Sequence, residues 1–179
     1  MIVLRSVCFG LLMVFSSVVL AAEQKPAGVK ALVDAEIKNL RQIEENRFSA
    51  GQPDGAGMSA LAEAGVKHVI DLRTPSEDRG FDESAAVESL GMHYHALPVS
   101  GLSGLNEQNA KALHKLLEQV GDESVVVHCG SGNRVGALMA MRQAIVLGAS
   151  VDEAIKTGED WGMTRIDLEA AVKLKLLAR

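Results

Sequence analysis

Of the two cysteines in this 179-residue chain, Cys8 lies near the N-terminus and Cys129 stands in the run His128-Cys129-Gly130-Ser131-Gly132-Asn133-Arg134. An apolar stretch, Val125–Val127, precedes that run, and another begins at Val135. A buried strand leading through a short glycine loop into a helix N-terminus aims successive backbone N–H groups into one concave space. The helix end adds partial positive charge, so an anion binds there. Gly130 and Gly132 permit turns that a Cβ would resist, and the planar fork of Arg134 can take two oxygens of a phosphate or sulfate. The same field favours thiolate, bringing reactive cysteines from about 8.5 into roughly the 3.5–7.5 range. Seven consecutive residues thus offer an exposed nucleophile and an oxyanion cradle together. Cys129 and Arg134 are the catalytic candidates, and Gly130, Ser131, Gly132, Asn133 and Arg134 the phosphate-binding ones.

Cys8 belongs to a leader. Met1–Arg5 is a short, weakly positive start, Ser6–Leu20 carries no charge, and Val19-Leu20-Ala21 has the small residues of a secretory cleavage site. The uncharged run is short for a membrane span, which needs about 20 apolar residues. Residues 1–22 are therefore expected to be a signal peptide for export to a bacterial periplasm, leaving Cys129 as a lone thiol that cannot close an internal disulfide. At 47% hydrophobic and 23% charged, with a net charge of −5, the remainder suits one globular domain and gives no basic footprint for nucleic acid. Aromatics total 3%, too few for a base-stacking platform.

Several elements must position the loop. Residues 23–46 read as a linker and an N-terminal helix, Val29–Glu45, with Val29, Leu32, Val33, Leu40 and Ile43 at helical spacing. From residue 47 onward strands and helices alternate. Arg47–Gln52 is extended, Met58–Ala64 a helix, Val66–Leu72 a buried strand, Glu83–Leu90 a helix and His93–Val99 a strand. Asn106 is placed to cap a helix over Glu107–Val120, and Ser124–His128 is a strand followed by a core helix, Val135–Leu147. Val151–Gly158 and Arg165–Leu177 complete the set. This order predicts an α/β fold with a mostly parallel sheet flanked by helices.

The sequence His128-Cys129-x-x-Gly132-x-Arg134 resembles the signature loop of cysteine-dependent tyrosine and dual-specificity phosphatases. More closely, the chain resembles the bacterial beta-lactamase hydrolase-like phosphatase domain family. The resemblance rests on Arg47-Phe48-Ser49-Ala50-Gly51-Gln52-Pro53, Val69-Ile70-Asp71-Leu72-Arg73, Glu77, and Tyr94 with Pro98-Val99. It implies hydrolysis of phosphate monoesters, on a protein or a small molecule, without metal or other cofactor. Cys129 would attack phosphorus to give a phosphocysteine, Arg134 and the loop amides would hold the oxygens, and His128 would sit behind the loop and help set the thiolate pKa.

Three features depart from that pattern. Only four residues separate Cys129 from Arg134, the loop length of rhodanese-type sulfurtransferases, which makes a Cys129 persulfide the alternative chemistry. Val135 stands where a Ser or Thr hydroxyl would stabilise the departing thiolate, so turnover is expected to be slow; an anion-binding pseudophosphatase is a further alternative. No Asp follows Pro98-Val99, leaving Asp71, Glu77, Asp78 and Glu107 as candidate general acids. His93 and His95 alternate along one strand at a spacing that could ligate zinc, but no third ligand is near them in sequence, so no metal is expected. Glu63, Glu77, Asp78, Asp82 and Glu83 read as surface charges, and Trp161 as a core residue.

Overall fold

The computed structural model describes Leu32 and residues 35–179. The leader therefore lies outside the described residues, as does much of the segment read as an N-terminal helix. A five-stranded sheet is built from β1 (Arg41–Glu44), β2 (Arg47–Ala50), β3 (His68–Asp71), β4 (His93–Ala96) and β5 (Val125–His128), in the order β1-β2-β5-β3-β4. β1 pairs antiparallel with β2, and the other three pairings are parallel. Among the described residues from 35 onward there are six helices: α1 (Gly55–Glu63), α2 (Glu83–Ser89), α3 (Glu107–Val120), α4 (Asn133–Ile145), α5 (Val151–Asp160) and α6 (Ile166–Leu177). The expected α/β class with a mostly parallel sheet is the one observed.

One expected element takes another form within the described residues. The helix read through Glu45 ends instead in strand β1, because Arg41, Gln42 and Glu44 pair with Ser49, Phe48 and Arg47. Asn39, just before it, has φ +50, a left-handed conformation that Asn tolerates better than most residues and that ends any helix.

Strand alternation sorts the core into two faces. Val125 and Val127 point to one side with Ile70, Leu72, Leu113 and Leu138, under α3 to α6. Val126 points to the other with Phe48, Val69, Met58, Leu61 and Val87, under α1 and α2. The helix starts are fixed by side chains that accept orphan amides. Asp54 accepts from Gly57, Asp82 from Ala85 and Asn106 from Asn109, and Ser150 forms a capping box with Glu153. Trp161 is buried in the core, as expected.

Candidate active site

The loop leaves the carboxyl end of the central strand β5 and enters α4. Register places His128 opposite Ala50 and Asp71 on the α1/α2 face. The next residue must turn the other way, and Cys129 joins the opposite cluster with Val135 and Leu138. The chain is therefore split at this point: imidazole behind the sheet, sulfur in front.

Cys129 is 1% exposed, contrary to the expected exposed thiolate. Its sulfur accepts a hydrogen bond from the Gly132 amide at 3.2 Å, and the residue lines a pocket of about 260 Å³. Gly130, Ser131, Asn133 and Arg134 line the same pocket. Gly132 has φ +84 at the helix N-cap, a conformation that favours glycine. A Cβ there would meet the Asn39 amide nitrogen at 2.4 Å. Asn39 Nδ2 donates to the carbonyls of Ser131 (3.1 Å) and Gly162 (3.0 Å), so it braces the loop from outside. The Asn133 side-chain oxygen is taken up by backbone amides. Oδ1 accepts from the amides of Thr164 (2.8 Å) and Arg165 (2.9 Å) and ties the loop to the start of α6.

Arg134 is tethered along one edge. Its Nη1 donates to Leu72 O (2.9 Å) and Glu77 Oε1 (2.9 Å), and its Nη2 to Glu77 Oε2 (3.1 Å). A guanidinium has five N–H donors, so three are spent. Among the described residues, Nε–H and the second Nη2–H have no partner, and these two share the other edge, the spacing that suits two oxygens of one oxyanion. Arg134 lowers the Glu77 pKa to about 2, chiefly through the hydrogen bonds, against burial, which raises it. Glu77 is thus a permanent anion beside the guanidinium, not the surface charge expected from sequence.

Behind the loop is a buried charge cluster. His128 Nε2 lies 2.7 Å from Glu83 Oε1 and 3.8 Å from Asp71 Oδ1, with all three side chains fully buried. Glu83 therefore also overturns the expectation of a surface charge. Arg79 Nε approaches Glu83 Oε2 (3.2 Å) and Asp71 Oδ2 (2.9 Å), and Arg79 Nη2 lies 2.6 Å from the latter. Asp71 also accepts from Tyr94 Oη (2.8 Å) and the Arg73 amide (2.7 Å). Burial and the hydrogen bond to Asp71 push the Tyr94 pKa up. Asp71, Glu83 and His128 converge closely enough to ligate a metal, and Arg79 pairs with the other oxygen of each carboxylate, Asp71 Oδ2 and Glu83 Oε2.

The general-acid candidates are thereby sorted. Asp71 and Glu77 are committed to arginines. Asp78 accepts from the Gly80 amide, and Glu107 is paired with Lys111 on the outside of α3. Asp167, which the sequence reading missed, does line the pocket, but the hydrogen bond from Arg165 lowers its pKa. Leu102, Leu105, Leu168 and Arg165 complete the walls. No local sequence signal marks these residues, because they come from separate segments.

Comparisons with known proteins agree with this geometry. Residues 19–173 match the family described as DSP-PTPase phosphatase fused to NAD+ kinase. The beta-lactamase hydrolase-like protein of Agrobacterium fabrum is 32% identical over 139 residues, 74% of this chain and 30% of the relative; its Xylella fastidiosa counterpart is 32% identical over 134 residues, 73% of this chain. The chain thus spans about 30% of the length of these curated relatives. The same fold occurs in the DUF442 protein of Shewanella putrefaciens (TM-score 0.64, 24% identity, 84% of this chain and 97% of that one). It recurs in a cysteine-to-serine variant of P. aeruginosa TpbA crystallised with pTyr (TM-score 0.61, 17% identity, 77% and 82% covered). A loop that opens on Cys129 and closes on Arg134, the match across most of the chain and the shared fold lead to one conclusion: the chain belongs to the DSP-PTPase phosphatase family.

Proposed function

We propose that the chain hydrolyses phosphate monoesters, with aryl phosphates such as phosphotyrosine preferred, through a phosphocysteine on Cys129. The observation that carries this reading is the unspent edge of Arg134, a residue that lines the same pocket as Cys129. The Cys129 thiolate attacks phosphorus and forms an S–P bond while the ester P–O bond breaks, and the leaving oxygen takes the electron pair and then a proton. Water next attacks phosphorus, breaking the S–P bond and releasing phosphate, with the thiolate restored. Arg134 and the loop amides hold the oxygens on which charge gathers.

The aryl preference has two sources. Leu102, Leu105 and Leu168 offer an apolar wall for a ring. Asp167, the carboxyl that lines the pocket, is held in its ionised form by Arg165 and has no proton to give at neutral pH, so leaving groups that need little protonation are favoured. TpbA, crystallised with pTyr, carries the same fold. His128, clamped against Glu83, sits one residue from the sulfur on the opposite face of the sheet and positions the loop. The reading of residues 1–22 as a secretory leader, and of the periplasm as the place of action, belongs to the same proposal and rests on the sequence alone.

The test is hydrolysis of p-nitrophenyl phosphate by the purified chain. Activity lost in Cys129→Ser supports the proposal. No activity in the wild type overturns it, and thiocyanate formed from thiosulfate and cyanide would replace it with a sulfurtransferase.

A further inference from the structure

A second candidate site lies at the opposite end of the sheet. His93 and His95, two apart on β4, leave the strand on the same face. Register sets His68 of β3 against His93, and Ile70 against His95, so His68 joins them on that face. The third imidazole, absent from the local sequence, is supplied by the neighbouring strand. The His68 ring stacks on His93 and His95 with centroids 5.1 and 5.3 Å apart. His68 Nδ1 lies 3.0 Å from His95 Nε2, and His68 Nε2 lies 2.6 Å from Oε2 of Glu123, two residues before β5.

These contacts fix what each nitrogen offers. A neutral imidazole has one N–H and one lone pair. Glu123 accepts the Nε2–H of His68, which leaves the Nδ1 lone pair directed at His95. Metal–nitrogen bonds of about 2.0–2.1 Å put neighbouring ligand nitrogens roughly 2.9–3.4 Å apart, across octahedral to tetrahedral angles. The His68–His95 separation, spanned by a hydrogen bond in the metal-free chain, matches such an edge, and an ion would take the place of the proton between the two nitrogens. A carboxylate on the far nitrogen is the partner that orients metal-bound histidines and raises their basicity.

We propose that His68, His93 and His95, with Glu123 holding His68 from behind, bind a divalent transition-metal ion of the imidazole-preferring class, of which Zn2+ is the probe. His93 is exposed and completes the set by turning its ring, and water fills the remaining position. The ion would clamp β4, which is hydrogen-bonded to one neighbour only, onto β3. Three strand residues, about 10 Å, separate His68 from Asp71 and the Cys129 end of the sheet. The ion therefore serves the edge of the sheet and takes no part in the chemistry at Cys129.

The test uses the full chain without a polyhistidine tag, with Cys8 and Cys129 both changed to Ser to remove the thiols, and stripped with a chelator. Titration against a chromophoric zinc chelator should give one Zn2+ per chain with a micromolar or tighter Kd, a thermal midpoint that rises with free Zn2+, and visible Co2+ absorption of nitrogen-ligated type. His95→Gln should weaken Zn2+ binding by roughly 100-fold, and Glu123→Gln by about 10- to 100-fold, with metal-free melting unchanged in both. Non-saturable or substoichiometric binding overturns the proposal, as does wild-type affinity in either variant. Because the thiols are absent, these outcomes are independent of whether the chain is a phosphatase.

Discussion

Replacing Glu77 by Gln removes the charge that tethers Arg134 while keeping the side-chain size. One amide oxygen can still accept from Nη1, but the amide NH2 faces the Nη2 donors and repels them. Two effects follow. The carboxyl pKa falls from 4.5 to about 2 in the fold, a ceiling of roughly 3 kcal/mol at about 1.4 kcal/mol per unit. With Glu77 28% exposed, solvent screening trims this to about 1 kcal/mol of stability. Because the folded pKa is depressed, that stability is present in full above about pH 4.5 and is lost as the pH falls through about 2. The gap between wild type and variant should be constant from pH 5 upward and should close below it. The second effect is on binding: an untethered arginine recovers up to about 2 kcal/mol of rotamer entropy that it must surrender again to hold the phosphoryl group, up to roughly 30-fold. Steady-state hydrolysis of p-nitrophenyl phosphate at pH 7 should therefore show kcat/KM lowered about 10- to 30-fold. Activity equal to or above wild type would refute the reasoning, for it would mean that Glu77 competes with the substrate for Arg134.

Two further substitutions probe the scaffold. Gly136→Ala, ordinarily stabilising by about 1 kcal/mol inside a helix, should here destabilise by about 1–3 kcal/mol in urea unfolding, because its Cβ would lie 2.2 Å from Gly158 O and 2.4 Å from the Met163 amide; a neutral result would show that α4 and α5 can move apart freely. Glu83→Gln removes the anion that holds His128 and shares Arg79, and breaking a buried pair of this kind costs about 3–5 kcal/mol; a shift in the urea midpoint worth under about 1 kcal/mol would contradict the buried cluster.

The Cys129 loop was legible because its chemistry is contiguous: strand, two glycines, arginine and apolar helix stand within one short run. Asn106 and the helix it caps were legible for the same reason, since a cap and its amide are three residues apart. β1 was not. Leu40 and Ile43 keep a helical spacing, and only pairing with β2 makes that segment a strand. Glu83 read as a surface charge because a carboxylate in the first turn of a helix usually is one; its burial depends on His128 and Arg79, distant in sequence or on another element. The brace from Asn39, the third histidine at β4 and Asp167 in the pocket wall were hidden likewise. Each is a contact between segments, and no periodicity within one segment records it.

Sulfur as the nucleophile is the central claim, and Val135 makes it directly measurable. Val135 is fully buried and has no hydroxyl to assist departure of the thiolate, so breakdown of the S–P bond should be the slow step. Rapid acid quench during p-nitrophenyl phosphate turnover, followed by mass spectrometry of the Cys129 peptide, should find one phosphoryl group on that sulfur, matched by an equal burst of p-nitrophenol. Full turnover with no phosphoryl group on Cys129 at any time, or an undiminished burst in Cys129→Ser, would contradict it.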